Sequence, residues 1–213
     1  MTDPKIFSYP DQESMASAIA GKLYECLRNA IHDRLRASII FPGGRSPIPL
    51  VNKLATSDIH WQDIYLTTTD ERFVPFESRK SNAGNLTRQF ENLGINPRMH
   101  HLIAGPPPED FPWPADVTIL GMGTDGHFAS LFPGSESFES DNILVQGQAP
   151  VPPKQRISFS MKALLSSRKL MLLVNSLEKW HVCENSLGDS GFEYPVSRLF
   201  KTAGNHLEIH RCC

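Results

Sequence analysis

The chain has 213 residues, 40% of them hydrophobic, which is enough to bury one sizeable core or two small ones. Lysine and arginine total 21 against 23 acidic residues, and this formal net charge of -2 argues against a protein that coats nucleic acid. No apolar run approaches the roughly 20 residues that span a bilayer, and the first residues lack a signal-peptide core. We therefore expect a cytoplasmic protein with neither a nucleic-acid nor a membrane partner.

Helical and strand patterns alternate along most of the chain. In chain order we predict helix 11–36, strand 37–41, helix 47–55, strand 64–69, helix 83–93, strand 99–103, strand 117–120, helical turns at 128–132, a loop at 135–154, strand 156–160, helix 161–167, strand 169–174, helix 175–187, helix 196–202 and strand 207–210. Such alternation favours an α/β fold with a mostly parallel open sheet and helices on both faces. We expect one domain over residues 1–213.

A glycine turn follows the strand predicted at 37–41. Gly43 and Gly44 come directly after that strand, and Ser46 before Pro47 predicts the N-cap of the next helix. Backbone amides in such a turn can form a cradle for an anion. An ordinary tight turn has the same composition, so the motif alone leaves both interpretations open.

Three charged residues, Asp70, Glu71 and Arg72, stand at the end of the strand predicted at 64–69. Charged side chains at the carboxyl end of a strand suit a pocket, because ligands of open α/β sheets bind at that edge. A solvated turn is the alternative.

The stretch 117–134 reads VTILGMGTDGHFASLFPG and carries the strongest chemical signal. Asp125 and His127 lie two residues apart after a glycine-rich turn, and histidine is the side chain best suited to move protons near neutral pH. We expect a helix N-terminus beside His127 to disfavour the imidazolium form and keep the base neutral. Either Asp70 or Asp125 can orient the imidazole, and the sequence does not decide between them. The alternative is a plain turn in which Asp125 caps a helix.

Taken together, six stretches resemble the 6-phosphogluconolactonase family: Phe41–Pro47, Thr68–Pro75, Ser81-Asn82, Ile119–Ser135, Arg156–Ser160 and Val174–Trp180. The resemblance implies a three-layer, Rossmann-like sandwich. It also implies hydrolysis of 6-phospho-D-glucono-1,5-lactone to 6-phosphogluconate in the oxidative branch of the pentose phosphate pathway, with no cofactor and no metal. The expected partner is this small sugar-phosphate lactone, with the protein a monomer or a weak homodimer.

The resemblance also assigns roles to residues. It makes His127 the catalytic base. From the residues themselves we expect this base to activate water, with Asp125 and Asp70 as the catalytic carboxylates that can orient it. The residues expected to bind substrate or phosphate are Gly43, Gly44, Arg45, Arg72, Ser81, Asn82, Arg156 and Lys179. The chain departs from the family pattern at Arg45, where a serine or threonine is common, and at Ser176, where glycine is usual.

Two other functions are compatible with parts of this pattern. Amino-sugar-phosphate isomerases and deaminases of the same fold use an aspartate, here matching Asp70, and a glutamate five residues after the histidine. That second position holds Phe132, which cannot transfer a proton. A non-catalytic sugar-phosphate-binding domain would keep the anion cradle but would not need His127.

Overall fold

The computed structural model describes residues 2–188 and 194–212. Its elements in chain order are β1 (Lys5–Ser8), α1 (Gln12–Arg34), β2 (Ala37–Phe41), α2 (Ile48–Ala55), β3 (Ile64–Thr68), β4 (Asp70–Arg72), α3 (Asn82–Asn92), β5 (Arg98–Met99), β6 (Val117–Gly121), β7 (Leu144–Gln148), β8 (Gln155–Phe159), α4 (Met161–Leu165), β9 (Lys169–Val174), α5 (Leu177–Leu187), α6 (Pro195–Ala203) and β10 (Leu207–Arg211).

Two sheets organise the described chain. The larger has seven strands in the order β1-β10-β9-β6-β2-β3-β5, and all of its pairings are parallel. The smaller has the antiparallel order β4-β8-β7. The α/β sandwich with a mostly parallel sheet is therefore confirmed, and the small sheet is an addition that the sequence analysis did not predict.

Side chains of the large sheet alternate between two hydrophobic cores, because successive residues of a strand face opposite sides. Ile39 and Phe41 pack with α1, α2 and α3, whereas Ile40 between them packs with α4, α5, α6 and the small sheet. Helices thus cover both faces, which gives the three-layer sandwich. No helix within the described residues is long and apolar enough to cross a membrane.

The chain leaves the large sheet at Thr69 and enters the small one immediately. The Thr69 amide donates to the carbonyl of Phe41 at 2.8 Å, and the Thr69 carbonyl accepts from the amide of Phe159 at 3.0 Å. Asp70 then begins β4, which pairs with β8. The three charged residues at 70–72 therefore form a strand, β4, and not a turn. This strand lies next to the carboxyl ends of β2 and β6.

Most predicted elements lie within two residues of the observed bounds. The strand expected at 99–103 is shorter, because β5 ends at Met99 and residues 102–104 form a 3-10 turn. The region expected as a loop at 135–154 contains β7, which pairs with β8 along its whole length. The edge strand β1 was not predicted, since its side chains are mostly exposed and lack an apolar pattern.

Two local predictions at the site edge are wrong. Residues 128–132 form no helix: Phe128 bridges both Met122 and Leu131, and Ala129 has a φ of 48°. Residues 128–132 therefore supply no helix N-terminus to His127. Ser46 is not a cap either, because α2 begins after Pro47 and its N-terminus has no side-chain capping bond.

A buried charged cluster joins α1 to β10, the strand next to the edge strand β1. Glu208 receives hydrogen bonds from Lys22 and Lys169, each at 2.8 Å, and lies 3.2 Å from Nε2 of His210. Burial would raise the pKa of Glu208, but the bonds from the two lysines outweigh it and lower the pKa to about 2. Burial and the charge of Lys22 lower the pKa of His210 to about 4.

This cluster predicts a loss of stability in mild acid. Between its ordinary pKa of 6.5 and the folded value of about 4, His210 binds a proton more readily in the unfolded chain. The free energy of unfolding, measured by urea titration, should therefore fall by on the order of 2 kcal/mol between pH 7 and pH 4.5. Below pH 4.5, Glu208 adds a further decrease. In His210→Phe, the free energy of unfolding should fall much less between pH 7 and pH 4.5 than in the wild-type protein. An unchanged pH dependence in this variant would contradict the assignment of the decrease to His210.

Candidate active site

A cavity of about 740 Å³ opens where β2, β6 and β9 end, under the small sheet. Its wall draws on seven stretches of the chain that are separated in sequence. The lining residues are Gln12, Pro42, Gly43, Gly44, Arg45, Ser46, Ile48, Pro49, Thr69, Asp70, Arg72, Asn82, Gly121, Met122, Gly123, His127, Ala129, Ser130, Phe132, Arg156, Asn175 and Lys179. The structure therefore brings most of the predicted site residues into one cavity.

Asp125 and His127 form a hydrogen-bonded pair at this cavity. The Nδ1 atom of His127 lies 2.5 Å from Oδ1 of Asp125, and the backbone amide of His127 donates to the same oxygen at 3.2 Å. This hydrogen bond lowers the pKa of Asp125, so the carboxylate stays ionised. A carboxylate at Nδ1 holds the proton on that nitrogen and leaves Nε2 as the proton acceptor.

The pair depends on a glycine beside it. A Cβ atom at Gly123 would lie 2.4 Å from the ring of His127 and 2.6 Å from Oδ1 of Asp125, closer than such atoms approach. The turn also closes on itself, because the Gly123 amide donates to the His127 carbonyl at 2.9 Å. Phe128, which is fully buried, anchors the far side of the turn in the core. Glycine is therefore required four residues before His127, because the backbone there contacts the imidazole ring.

Asp70 holds a different part of the cavity wall. Its carboxylate accepts hydrogen bonds from Ser130 at 2.6 Å and from Thr69 at 3.1 Å, and it is 7% exposed. The carboxylate that orients His127 is therefore Asp125, which decides the question that the sequence left open. Asp70 ties β4 to the turn that follows His127.

Glu71 is a fully buried carboxylate at the N-terminus of α3. One oxygen accepts from the amides of Arg72 at 2.7 Å and Asn82 at 2.8 Å. The other accepts from the Ala83 amide at 2.8 Å and the Ser81 hydroxyl at 3.0 Å. Negative charge is stabilised at a helix N-terminus, and four donors satisfy this one. Ser81, expected to bind substrate, is instead fully buried and does not line the cavity.

Asn82 reaches from the first turn of α3 to the cavity. Its amide nitrogen donates to the Asp70 carbonyl at 2.9 Å, while its Oδ1 atom is buried without a hydrogen-bond partner. A Cβ atom at Gly43 would lie 2.2 Å from that oxygen, so only glycine fits there. The buried Oδ1 is an acceptor that a substrate hydroxyl can satisfy.

Arg72 and Arg156 are direct partners across β4 and β8, so both side chains lie on the cavity face. Arg156 is 6% exposed, and its Nε and Nη1 atoms have no hydrogen-bond partner. Arg72 uses Nη1 to bind the Lys80 carbonyl at 2.7 Å, and its Nε is also unpartnered. Burial, together with the charge of Arg72, lowers the pKa of Arg156. Two guanidinium groups side by side, each with an unpartnered Nε, have the chemistry to bind a dianion.

Lys179 supplies a third positive charge from the first turn of α5. Its Nζ donates to Asn175 at 3.4 Å, and Asn175 in turn donates to Ser46 at 3.4 Å. Burial lowers the pKa of Lys179. Ser176, where the family pattern has glycine, caps α5 by accepting from the Lys179 amide at 3.3 Å. Arg45 is exposed at the rim of the cavity.

Several cavity residues escaped the sequence analysis because their signal is positional. Ser130, Phe132 and Asn175 lie inside or beside the recognised motifs, but only the fold shows that they face the cavity. Gln12 begins α1 and had no signal in the sequence. Within residues 2–188 and 194–212, no group of three or more His, Cys, Asp or Glu side chains is arranged to hold a metal ion.

Several known proteins are similar to this chain in sequence and in fold. Residues 10–208 match the family described as glucosamine-6-phosphate isomerases/6-phosphogluconolactonase. The 6-phosphogluconolactonase of Pseudomonas putida is 33% identical over 98% of this chain and 93% of its own length, and that of Helicobacter pylori strain J99 is 31% identical over 96% of each. The crystal structure of a 6-phosphogluconolactonase from Shewanella baltica OS155 has a TM-score of 0.85 at 28% identity, covering 100% of this chain and 98% of that one.

The contact between Gly123 and the imidazole predicts that Gly123→Ala separates Asp125 from His127. The expected result is loss of the downfield proton resonance of His127 Nδ1 in NMR spectra of the folded protein. The matched control is Gly21→Ala in α1, where a Cβ atom meets nothing within 4 Å and the resonance should persist. Alanine also favours the helix by about 0.5–1 kcal/mol at that position. Persistence of the resonance in Gly123→Ala would contradict the geometry.

Proposed function

This chain belongs to the glucosamine-6-phosphate isomerase and 6-phosphogluconolactonase family, and from that premise we propose that it hydrolyses 6-phospho-D-glucono-1,5-lactone to 6-phospho-D-gluconate. The observation that carries the proposal is the Asp125–His127 pair at a cavity that Arg72, Arg156 and Lys179 also line. A phosphorylated lactone has an ester carbonyl at one end, which suits the Asp125–His127 pair. It has a phosphate dianion at the other end, which suits the positive side chains. In metabolism this reaction belongs to the oxidative branch of the pentose phosphate pathway.

The phosphate end of the substrate binds between Arg72 and Arg156, with Lys179 as a third contact. This assignment is supported by the unpartnered guanidinium nitrogens, because a buried donor without an acceptor costs free energy. Arginine presents a planar fork that matches phosphate oxygens, and lysine adds a point charge. Binding energy at the phosphate then positions the lactone carbonyl near His127.

Hydrolysis proceeds by direct attack of water on C1 of the lactone. Nε2 of His127 takes a proton from the water as its oxygen bonds to C1, and the Asp125 carboxylate stabilises the imidazolium that forms. The bond between C1 and the ring oxygen then breaks, and the imidazolium returns the proton to that oxygen. The products are a carboxylic acid, which ionises, and a new hydroxyl group. A lactone is an activated ester, so no covalent enzyme intermediate is needed.

Asp70 contributes to this reaction by holding the residues around His127 in place. Because its carboxylate bonds to Ser130 and Thr69, it fixes the turn after His127 against β4. Gly43, Gly44 and Arg45 also line the cavity, where the glycine turn can contact the sugar. These residues position the substrate and the base.

The environment of His127 favours hydrolysis over sugar-phosphate isomerisation. Phe132 occupies the position of the isomerase glutamate, and its ring centroid lies 4.6 Å from that of His127. An apolar ring there cannot shuttle a proton between carbon atoms. A domain that only binds sugar phosphates would not require the Asp125–His127 hydrogen bond, so the pair also favours an enzyme.

His127→Ala should lower the rate of lactone hydrolysis by about 10²–10⁴-fold, the usual contribution of a general base. The measurement is acid release from freshly generated 6-phosphogluconolactone, corrected for spontaneous hydrolysis. His32→Ala is the matched control, because the His32 side chain is 87% exposed on α1 and should leave the rate unchanged. Full activity of His127→Ala would overturn the mechanism but keep the function. No activity of the folded wild-type protein would overturn the function itself.

A further inference from the structure

A second cavity, of about 550 Å³, lies beside the first and shares Arg156 with it. We call it the outer cavity. Its wall is formed by the ends of β7 and β8, by the residue after β4, and by two serines that precede β7. The lining residues are Phe73, Ser135, Ser137, Gln146, Gly147, Gln148, Gln155 and Arg156. The proposed reaction does not use this cavity.

The small sheet explains how one side chain reaches both cavities. Arg156 lies on the central strand, directly opposite Arg72 on β4 and directly opposite Gly147 on β7. Partners in an antiparallel pair share a face, so these three residues form a row. Arg72 lines the main cavity and Gly147 lines the outer one. A Cβ atom at Gly147 would lie 3.1 Å from the carbonyl oxygen of Ser130, so the backbone of β7 runs close to the turn after His127 at this point.

The chemistry of the outer cavity suits a phosphorylated small molecule. Arg156 is the charged residue among the described lining residues, and the other polar groups are neutral amides and hydroxyls. Glutamine and serine side chains can bind the hydroxyl groups of a polyol. Phe73, which is 41% exposed, adds an apolar surface.

We propose that the outer cavity is a second anion-binding site, which takes a phosphorylated small molecule through Arg156. A guanidinium carries one positive charge, so an anion on its outer side weakens its attraction for a phosphate in the main cavity. By linkage, a phosphate in the main cavity weakens the outer site by the same factor. A phosphorylated product or metabolite that binds there lowers the affinity for substrate. This last step rests on the proposed function, whereas the existence of the second site does not.

The test is the number of phosphate ions that bind, measured by isothermal titration calorimetry with inorganic phosphate. The wild-type protein should bind two ions with unequal affinity. Gln148→Glu places a carboxylate in the outer cavity, at an exposed position, and should weaken the second ion by about tenfold or more through charge repulsion. Gln62→Glu is the matched control, because it makes the same change at an exposed position outside both cavities.

Two ions in wild type and Gln62→Glu, but one in Gln148→Glu, would support the second site. One ion in the wild-type protein would overturn it, and so would two ions in Gln148→Glu with unchanged affinities. The titration requires no turnover, so its failure is distinct from a failure to hydrolyse the lactone. In activity assays of an active enzyme, inorganic phosphate should raise KM less in Gln148→Glu than in the wild-type protein.

Discussion

The buried carboxylate of Glu71 is the interaction on which the geometry of the site depends. It takes four hydrogen bonds at the N-terminus of α3 and thereby joins that helix to β4. The same bonds fix the backbone of Arg72 and Asn82, which face the cavity. His101 Nε2 lies 3.4 Å from the same carboxylate and closes its remaining side. A buried charge with this many donors has one stable position, so the residues on either side of it are held in place as well.

The rest of the site follows from strands that end at one edge. Parallel strands β2, β6 and β9 bring the glycine turn, the Asp125–His127 pair and Lys179 to the same side of the large sheet. The small antiparallel sheet then covers that edge with two arginines. A base on one wall and cations on another suit a substrate with an ester at one end and a phosphate at the other. The proposed reaction uses the base at the ester end of the substrate and the cations at its phosphate end.

Much of this arrangement could be predicted from the sequence, because its signals are local. Apolar periodicity located nearly all of the helices and the central strands, and charged or glycine residues after strand ends marked the cavity edge. The fold class and the family were confirmed. The roles of individual site residues remain proposals, supported by their shared cavity.

The failures came from long-range contacts and from strain. The strands β4 and β7 are short and exist only because they pair with β8. The turn at Ala129 adopts a positive φ that alanine rarely takes, because the buried Phe128 and the bond from Ser130 to Asp70 hold it. A serine hydroxyl can bind phosphate, so Ser81 was expected to be a ligand. Only the tertiary structure shows that the Ser81 hydroxyl donates to the carboxylate of Glu71. Only the tertiary structure likewise shows that Asp125, and not Asp70, is hydrogen-bonded to His127.

The most direct test of the two-ended site is substrate preference in Arg156→Gln. The measurement is kcat/KM for 6-phosphogluconolactone relative to unphosphorylated glucono-1,5-lactone, with exposed Arg79→Gln as the control. If phosphate binding at Arg156 positions the carbonyl at His127, the preference should fall by on the order of a hundredfold in Arg156→Gln and stay unchanged in the control. A preference that survives in Arg156→Gln would contradict the account, since the phosphate would then be recognised elsewhere.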